Sequence, residues 1–304
     1  MAIKSIKSEK FHWYYLTGFA SEELLFLKKN FKFHPLDLKD CAGEIQRSKI
    51  DVYKDYLFLV IQFPHIEKTK RKIEISQVYF FIGKDYLITI SHDKFKFLNN
   101  FFYKFLNSKK FQEESFSQDS GYLLYKILDD LLRNSWITHG YLDEEIRRVE
   151  TAIDEGRSKK SVFDIAFLRR IILQLKAIVD AQKMVTNSLS RFQAKFLNKE
   201  ILVYFDDIDD YVEKNWLIVE SQKDRILTLQ EINESLISYR TNQIIKVLTT
   251  FSVALMPLTL LSGIYGMNIE LPLSHSPHFV WLLFSILSIF ILGVFLYLKK
   301  KDWF

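Results

Sequence analysis

Two stretches of this sequence carry residue types at spacings that suit chemistry. The first is Tyr204-Phe205-Asp206-Asp207-Ile208-Asp209-Asp210, four carboxylates within five positions. Its ordinary reading is a solvated acidic face, and its chemistry is that of oxygen ligands. The second is Gly263 followed by Tyr265-Gly266-Met267-Asn268. Two glycines three apart let helices approach closely and the backbone turn, and Asn268 adds a side-chain carbonyl. No nucleophile–base pairing, phosphate loop, dinucleotide glycine motif or clustered metal ligands accompany them, so no enzyme is expected. Cys41 is the sole cysteine, which excludes intrachain disulfides and Cys-x-x-Cys sites and suits a reducing compartment.

The elements that must hold these residues follow from how charge is distributed. Of 304 residues 26% are charged and 48% hydrophobic, with a net charge of +5. After residue 246 the only charges are Glu270, Lys299, Lys300, Lys301 and Asp302. The chain is thus two compositions joined end to end. Val247–Gly266 and Phe279–Leu298 are twenty-residue runs without a charge, each long enough to cross a hydrocarbon layer of roughly 30 Å. Arg240 and Lys246 precede the first run, the lysines follow the second, and the connector between them has no Lys or Arg. Both termini are therefore expected on the cytoplasmic side, with Tyr297 and Trp303 as interfacial aromatics. The first fifteen residues lack an apolar core, so no signal peptide is expected. The mild positive charge forms no basic patch interleaved with aromatics, so no nucleic-acid partner is expected.

In the cytoplasmic part, Leu57–Phe63, Ile73–Ile82 and Tyr86–Ser91 are rich in β-branched and aromatic residues, with Gly83-Lys84-Asp85 as a hairpin turn. From Tyr122 onward, Leu123, Leu124, Ile127, Leu128, Leu131 and Leu132 repeat at helical spacing. Gly156 is expected to stop that helix, and Ser161 with Asp164 to cap the next. A third helix begins near Glu200 and meets no proline or glycine before Pro257. Running on to Gly266, it would be about 65 residues and roughly 100 Å long. The domains read as 1–115 (α/β), 116–243 (long-helix stalk) and 244–304 (two spans with an outer loop at 267–278).

The Gly-Met-Asn at 266–268, its setting in KVLTTFSVALMPLTLLSGIYGMN from Lys246, the two C-terminal spans and the lysine-rich tail resemble the CorA family of divalent-cation, chiefly magnesium, channels. HPLDLKD at 34–40 and QRSKIDVYKDYLFLV at 46–60 resemble that family's N-terminal domain. The resemblance covers essentially the whole chain. It implies an α+β membrane protein of a bacterial-type inner membrane: an N-terminal cytoplasmic α/β domain, a long helical stalk and two C-terminal transmembrane helices, assembled as a funnel-shaped homopentamer within membrane lipid. The first span would line the pore.

Asn242, Ile245, Leu248, Ser252, Met256, Thr259 and Gly263 recur at spacings of three and four, one face of a helix. A Ser/Thr helix-packing face is the alternative reading for each of them. On the pore reading Asn268 forms the outer selectivity ring with the Gly266 carbonyl as helper, Thr259 and Asn242 are inner polar stations, and Ile245, Leu248 and Met256 are apolar constrictions. Neutral oxygens suit Mg2+, which gives up its water shell reluctantly. The family often has methionine where Ile245 stands. Glu270 would form an acidic ring at the mouth, weakened because Leu273 stands where many relatives carry a second glutamate. His275 and His278 read as solvated histidines, since Pro277 interrupts their spacing. The resemblance further implies that Asp207 and Asp40 meet across subunits around a regulatory Mg2+, with Lys39 in place of a frequent acidic neighbour. Two competing readings stay open: a relative carrying Co2+, Ni2+ or Zn2+, and a non-conducting two-span sensor.

Overall fold

The computed structural model describes residues 3–67, 72–91, 95–156, 158–192, 195–268 and 277–300. Two compact units emerge, Met1–Gln230 and Glu231–Phe304.

The first unit opens with strands β1 (Ile3–Lys7) and β2 (His12–Thr17), helices α1 (Ser21–Asn30) and α2 (Pro35–Ala42), then β3 (Lys49–Val52), β4 (Tyr56–Glu67), β5 (Lys72–Gly83) and β6 (Tyr86–Ser91). The strands form one sheet in the order β1-β2-β6-β5-β4-β3. Only β2 and β6 pair in parallel. The three runs expected as strands are β4, β5 and β6, and the Gly83 turn joins antiparallel neighbours. Pro64, which cannot donate to a ladder, sits in β4 beyond the reach of β3, whose pairing ends at Val60.

Side-chain alternation separates two cores. On one face Leu16, Phe58, Phe81 and Ile88 pack with Leu27 of α1 and with Leu38 and Cys41 of α2. On the other, Trp13 meets Phe101, Phe102 and Phe105 of α3 (Lys96–Asn107) edge-on, and Tyr15 stacks on Phe102. Short α4 (Lys109–Ser115) leads into α5 (Ser120–Asp154), which returns across the sheet against β4, β5 and β6. The leucine and isoleucine repeat from Leu123 to Leu132 is its buried stripe.

Gly156, with φ of 78°, ends α5 as expected. The expected cap at Ser161 is corrected: α6 (Ser158–Arg191) has already begun at Ser158, and Ser161 lies buried inside it at 1% exposure. α7 runs Ile201–Tyr265, 65 residues, and continues through Pro257. Within the first unit it packs antiparallel to α6 in a regular ladder: Lys176 with Glu220, Trp216 Nε1 to Asp180 at 2.7 Å, Lys183 to Glu213 at 2.5 Å, and Thr186 to Asp209 at 2.6 Å. Phe205, Ile208, Val212, Val219 and Ile226 are its buried stripe there.

The second unit contains the rest of α7 and α8 (Pro277–Lys300). Both helices carry stretches long and apolar enough to cross a membrane, and neither stretch is buried within the chain. An apolar stretch that the protein leaves uncovered requires another apolar medium or another chain.

Candidate functional site

Asn242, Ile245, Leu248, Ser252, Met256, Thr259 and Gly263 are all exposed on α7. Met256, Thr259, Gly263 and Met267 line one open hollow of about 470 Å³ together with Leu260 and Ile264. A different side of α7 holds α8: Thr250, Val253 and Pro257 border a 540 Å³ groove with Phe290, Val294 and Phe295, and the Phe251 and Phe295 rings meet at 6.1 Å. At 3.6 residues per turn the two sides are about 120° apart. The hollowed face is therefore one that α8 does not occupy.

Its hydroxyls have a defined polarity. Ser252 Oγ donates to the Leu248 carbonyl at 3.0 Å and Thr259 Oγ1 to the Leu255 carbonyl at 3.1 Å. With the proton turned back into the helix, each oxygen keeps its lone pairs for an outside donor or cation. A hydrated cation presents water hydrogens outward, so acceptor oxygens suit it.

α7 ends in a tight turn. Gly266 N–H donates to the Ser262 carbonyl at 2.9 Å and Met267 N–H to the Ile264 carbonyl at 3.2 Å. A Cβ on Gly266 would lie 3.0 Å from the Ser262 carbonyl oxygen, whereas one on Gly263 would meet nothing within 4 Å. Gly266 thus sits tight against its own backbone; Gly263 leaves the surface of one chain smooth. Met267 and Asn268 follow, both exposed. Glu270, Leu273 and His275 lie outside the described residues, and His278 is exposed at the start of α8.

Of the acidic run, Asp206, Asp207 and Asp210 are exposed. Asp209 is taken up internally, accepting from Thr186 Oγ1 and, at 3.2 Å, from Asn187 Nδ2 of α6. Asp207 accepts from Tyr125 of α5 at 3.3 Å. Burial, then the charges of Asp129 and Asp207, push the Tyr125 phenol up to about 12.

Asp40, on α2, is held by Lys49 of β3 at 2.7 Å, and Lys49 reaches Asp51 at 2.5 Å. Burial would lower the Lys49 ammonium, but the hydrogen bonds to Asp40 and Asp51 outweigh it and raise it. Asp40 and Asp207 thus have separate partners on separate elements, and one chain does not join them. Among the described residues no three His, Cys, Asp or Glu side chains gather to hold a metal. Lys39 is exposed beside Asp40.

Sequence reasoning overlooked Lys49, although its alternation with Asp51 along a strand was a legible sign that the two share a face. It also overlooked the buried carboxylate Asp37, 1% exposed, which accepts from Tyr53 at 2.9 Å and Tyr56 at 2.7 Å. Burial raises the Asp37 carboxyl, partly offset by these two bonds.

Comparison with known proteins gives these features a context. Over 298 residues the chain is 26% identical to the cobalt/magnesium transport protein CorA of Thermotoga maritima, covering 96% of this chain and 83% of that protein. It is likewise 26% identical to the putative metal ion transporter YfjQ of Bacillus subtilis, over 99% and 93%. Its fold matches the complete CorA magnesium transporter structure from Methanocaldococcus jannaschii at a TM-score of 0.82 and 23% identity, covering 99% of this chain and 94% of that one. The family model described as CorA-like Mg2+ transporter protein matches residues 8–300, and the chain belongs to that family, one of transporters rather than enzymes.

Proposed function

We propose that the chain is a passive influx channel for divalent cations, magnesium first, formed by five copies around the α7 face and closed by cytoplasmic magnesium. The observation that carries this reading is the run of polar, small and acceptor-only groups along one face of an otherwise apolar helix, turned away from α8. A helix that served only as an anchor has no use for such a face, and groups of this kind at membrane depth mark ion pathways.

Two helices cannot enclose a water path, so conduction requires an oligomer. In it Asn268 and the Gly266 carbonyl form the outer ring, Thr259, Ser252 and Asn242 inner oxygen stations, and Met256, Leu248 and Ile245 constrictions that close by dewetting. Glu270 draws cations to the mouth. At high internal magnesium the ion bridges Asp40 of one subunit and Asp207 of the next; at low magnesium the unbridged carboxylates repel and the ring loosens. Each site contributes a modest bias and five biases add. Influx needs no nucleotide hydrolysis, since a divalent ion gains about 2 × 2.3 kcal/mol per 100 mV of inside-negative potential. The membrane is a cell inner membrane, with both termini cytoplasmic.

The names of two relatives include cobalt, so Co2+ is the first competing ion, with Ni2+ and Zn2+ behind it. Proteoliposomes loaded with ion-sensitive dyes and stepped to inside-negative potential test the reading. Magnesium entry that falls as internal magnesium rises supports it. Zinc or cobalt entry without magnesium entry reassigns the ion, and no entry of any of them leaves the sensor.

A further inference from the structure

Outside these sites, the Met1–Gln230 unit contains a cavity of about 1350 Å³. It lies at the overhanging end of the β4–β5 hairpin. There β3 and β6 no longer pair with the hairpin, their ladders ending at Val60 and Val78, and its two strands pair only with each other. The N-terminal end of α3 and one side of α6 complete the walls.

Among the described residues the lining is electrostatically one-sided. Arg47 from the segment before β3, Lys72 of β5, Lys96 of α3 and Arg170 of α6 converge on it. None of the four makes an ion pair among the described residues, although the chain is otherwise rich in them. Glu74 is the one carboxylate among the described residues of the wall, and it faces His65 Nε2 across the hairpin at 3.4 Å. His65 Nδ1 is buried with no hydrogen-bond partner among the described residues. Phe95, at the N-cap of α3, provides no side-chain cap, so the positive end of that helix dipole adds to the field. Four like charges gathered from four separate elements repel one another, and a concave site with one sign of charge concentrates the opposite ion.

Between the cations the wall is apolar: Phe97, Phe167, Ile73 and Ile171 contribute to it. A simple inorganic anion has no need of such surface, and the volume exceeds the roughly 300–1,000 Å³ of ordinary small-molecule sites. We propose that this cavity binds a nucleoside polyphosphate, its phosphates on Arg47, Lys72, Lys96 and Arg170 and its base against Phe97 and Phe167. Arginine and lysine supply the charge-assisted bonds phosphate requires, and flat apolar rings suit a base. The assignment is independent of the conduction reading.

Full-length protein in detergent with EDTA, free of divalent ions so that channel behaviour does not enter, is titrated calorimetrically with ATP, tripolyphosphate and adenosine. ATP is expected to bind with a sub-millimolar constant, tripolyphosphate about tenfold more weakly and adenosine not measurably. Arg47→Ala/Arg170→Ala is expected to weaken ATP by about tenfold or more with an unchanged melting temperature. Lys96→Ala, exposed at a helix start, gives a second reading should the double variant fail to fold. Phe167→Ala is expected to weaken ATP but not tripolyphosphate. Absence of saturable ATP binding below about 1 mM, or binding unmoved in both charge variants, overturns the site; equal affinity for ATP and tripolyphosphate overturns the nucleotide assignment.

Discussion

Lys49 Nζ stands 2.7 Å from Asp40 Oδ2, so the carboxylate proposed to take a regulatory cation already has a cation of its own. The ammonium also reaches Asp51 at 2.5 Å and lies over the Phe58 ring at 5.3 Å. It is therefore held in place rather than free to swing away. A magnesium ion arriving at Asp40 must compete with it or share the oxygen.

Lys49→Met is expected to lower the magnesium concentration that half-closes the proposed channel by roughly two- to fivefold, the scale of a partly exposed ion pair. Lys49→Arg is expected to stay near the parent. Magnesium-dependent protection from proteolysis, measured on the full chain, reads this without any flux assay. An unmoved midpoint removes Lys49 as a competitor.

Tyr56 is the main support of the buried Asp37. Its hydroxyl donates to Asp37 at 2.7 Å and accepts from the His34 N–H at 2.8 Å. Tyr56→Phe leaves a buried carboxylate one donor short and a backbone N–H unpaired, at about 2–3 kcal/mol. Tyr53→Phe, nearer the surface, is expected to cost less. The order of the two melting temperatures checks the assignment.

His139 on α5 gives the fold an acid-sensitive point. It is 4% exposed, and burial lowers its pKa by more than Gln222 and Asp143 raise it. The unfolded chain therefore binds a proton that the folded chain refuses. Stability attributable to His139 is complete above the ordinary histidine value of about 6.5 and declines as pH falls through the window below it. Melting curves at descending pH are expected to fall less steeply for His139→Gln; parallel curves reject the assignment.

Much of this could be read from the residues because the signals were local. The proline gap from Pro64 to Pro257 and the charge-free runs exposed α7 and α8 with nearly correct ends. β4, β5 and β6 announced themselves as apolar runs because sheet neighbours bury them. β1 and β3 did not, since edge strands such as Ile3–Lys7 keep lysines toward water. The sites were less legible, because their partners come from elsewhere in the fold. Asp207 and Asp209 look alike in sequence, yet the antiparallel register of α6 and α7 gives Asp209 to Thr186 and leaves Asp207 exposed on the other side. The cavity beside Arg47 gathers residues from four elements and has no linear signature.

Gly266 permits the turn that presents Asn268. A methyl group there would stand 3.0 Å from the Ser262 carbonyl oxygen, which belongs to the backbone and cannot rotate away. Gly266→Ala is expected to abolish magnesium-dependent growth of a transport-deficient host while the protein still reaches the membrane. Gly263→Ala meets no atom within its own chain. A loss it causes points to contact between copies or to a narrowed ion path, so the pair separates a backbone requirement from one that arises only in the assembly.

Thr259 offers the sharpest test of the face itself. Its hydroxyl proton is committed to the Leu255 carbonyl, so what it shows to the hollow with Met256 and Gly263 is lone-pair oxygen. Thr259→Val has nearly the same shape and the same β-branching, but puts a methyl group where the oxygen was. Helix propensity and packing change little, whereas five acceptors leave the proposed pathway at once. Magnesium flux is expected to fall at least about tenfold, since a hydrated ion passing an apolar ring loses hydrogen bonds that nothing replaces. Thr259→Ser keeps the oxygen and is expected to keep most of the flux. Equal flux in the valine and serine variants would make Thr259 a packing residue and move the ion path to another side of α7.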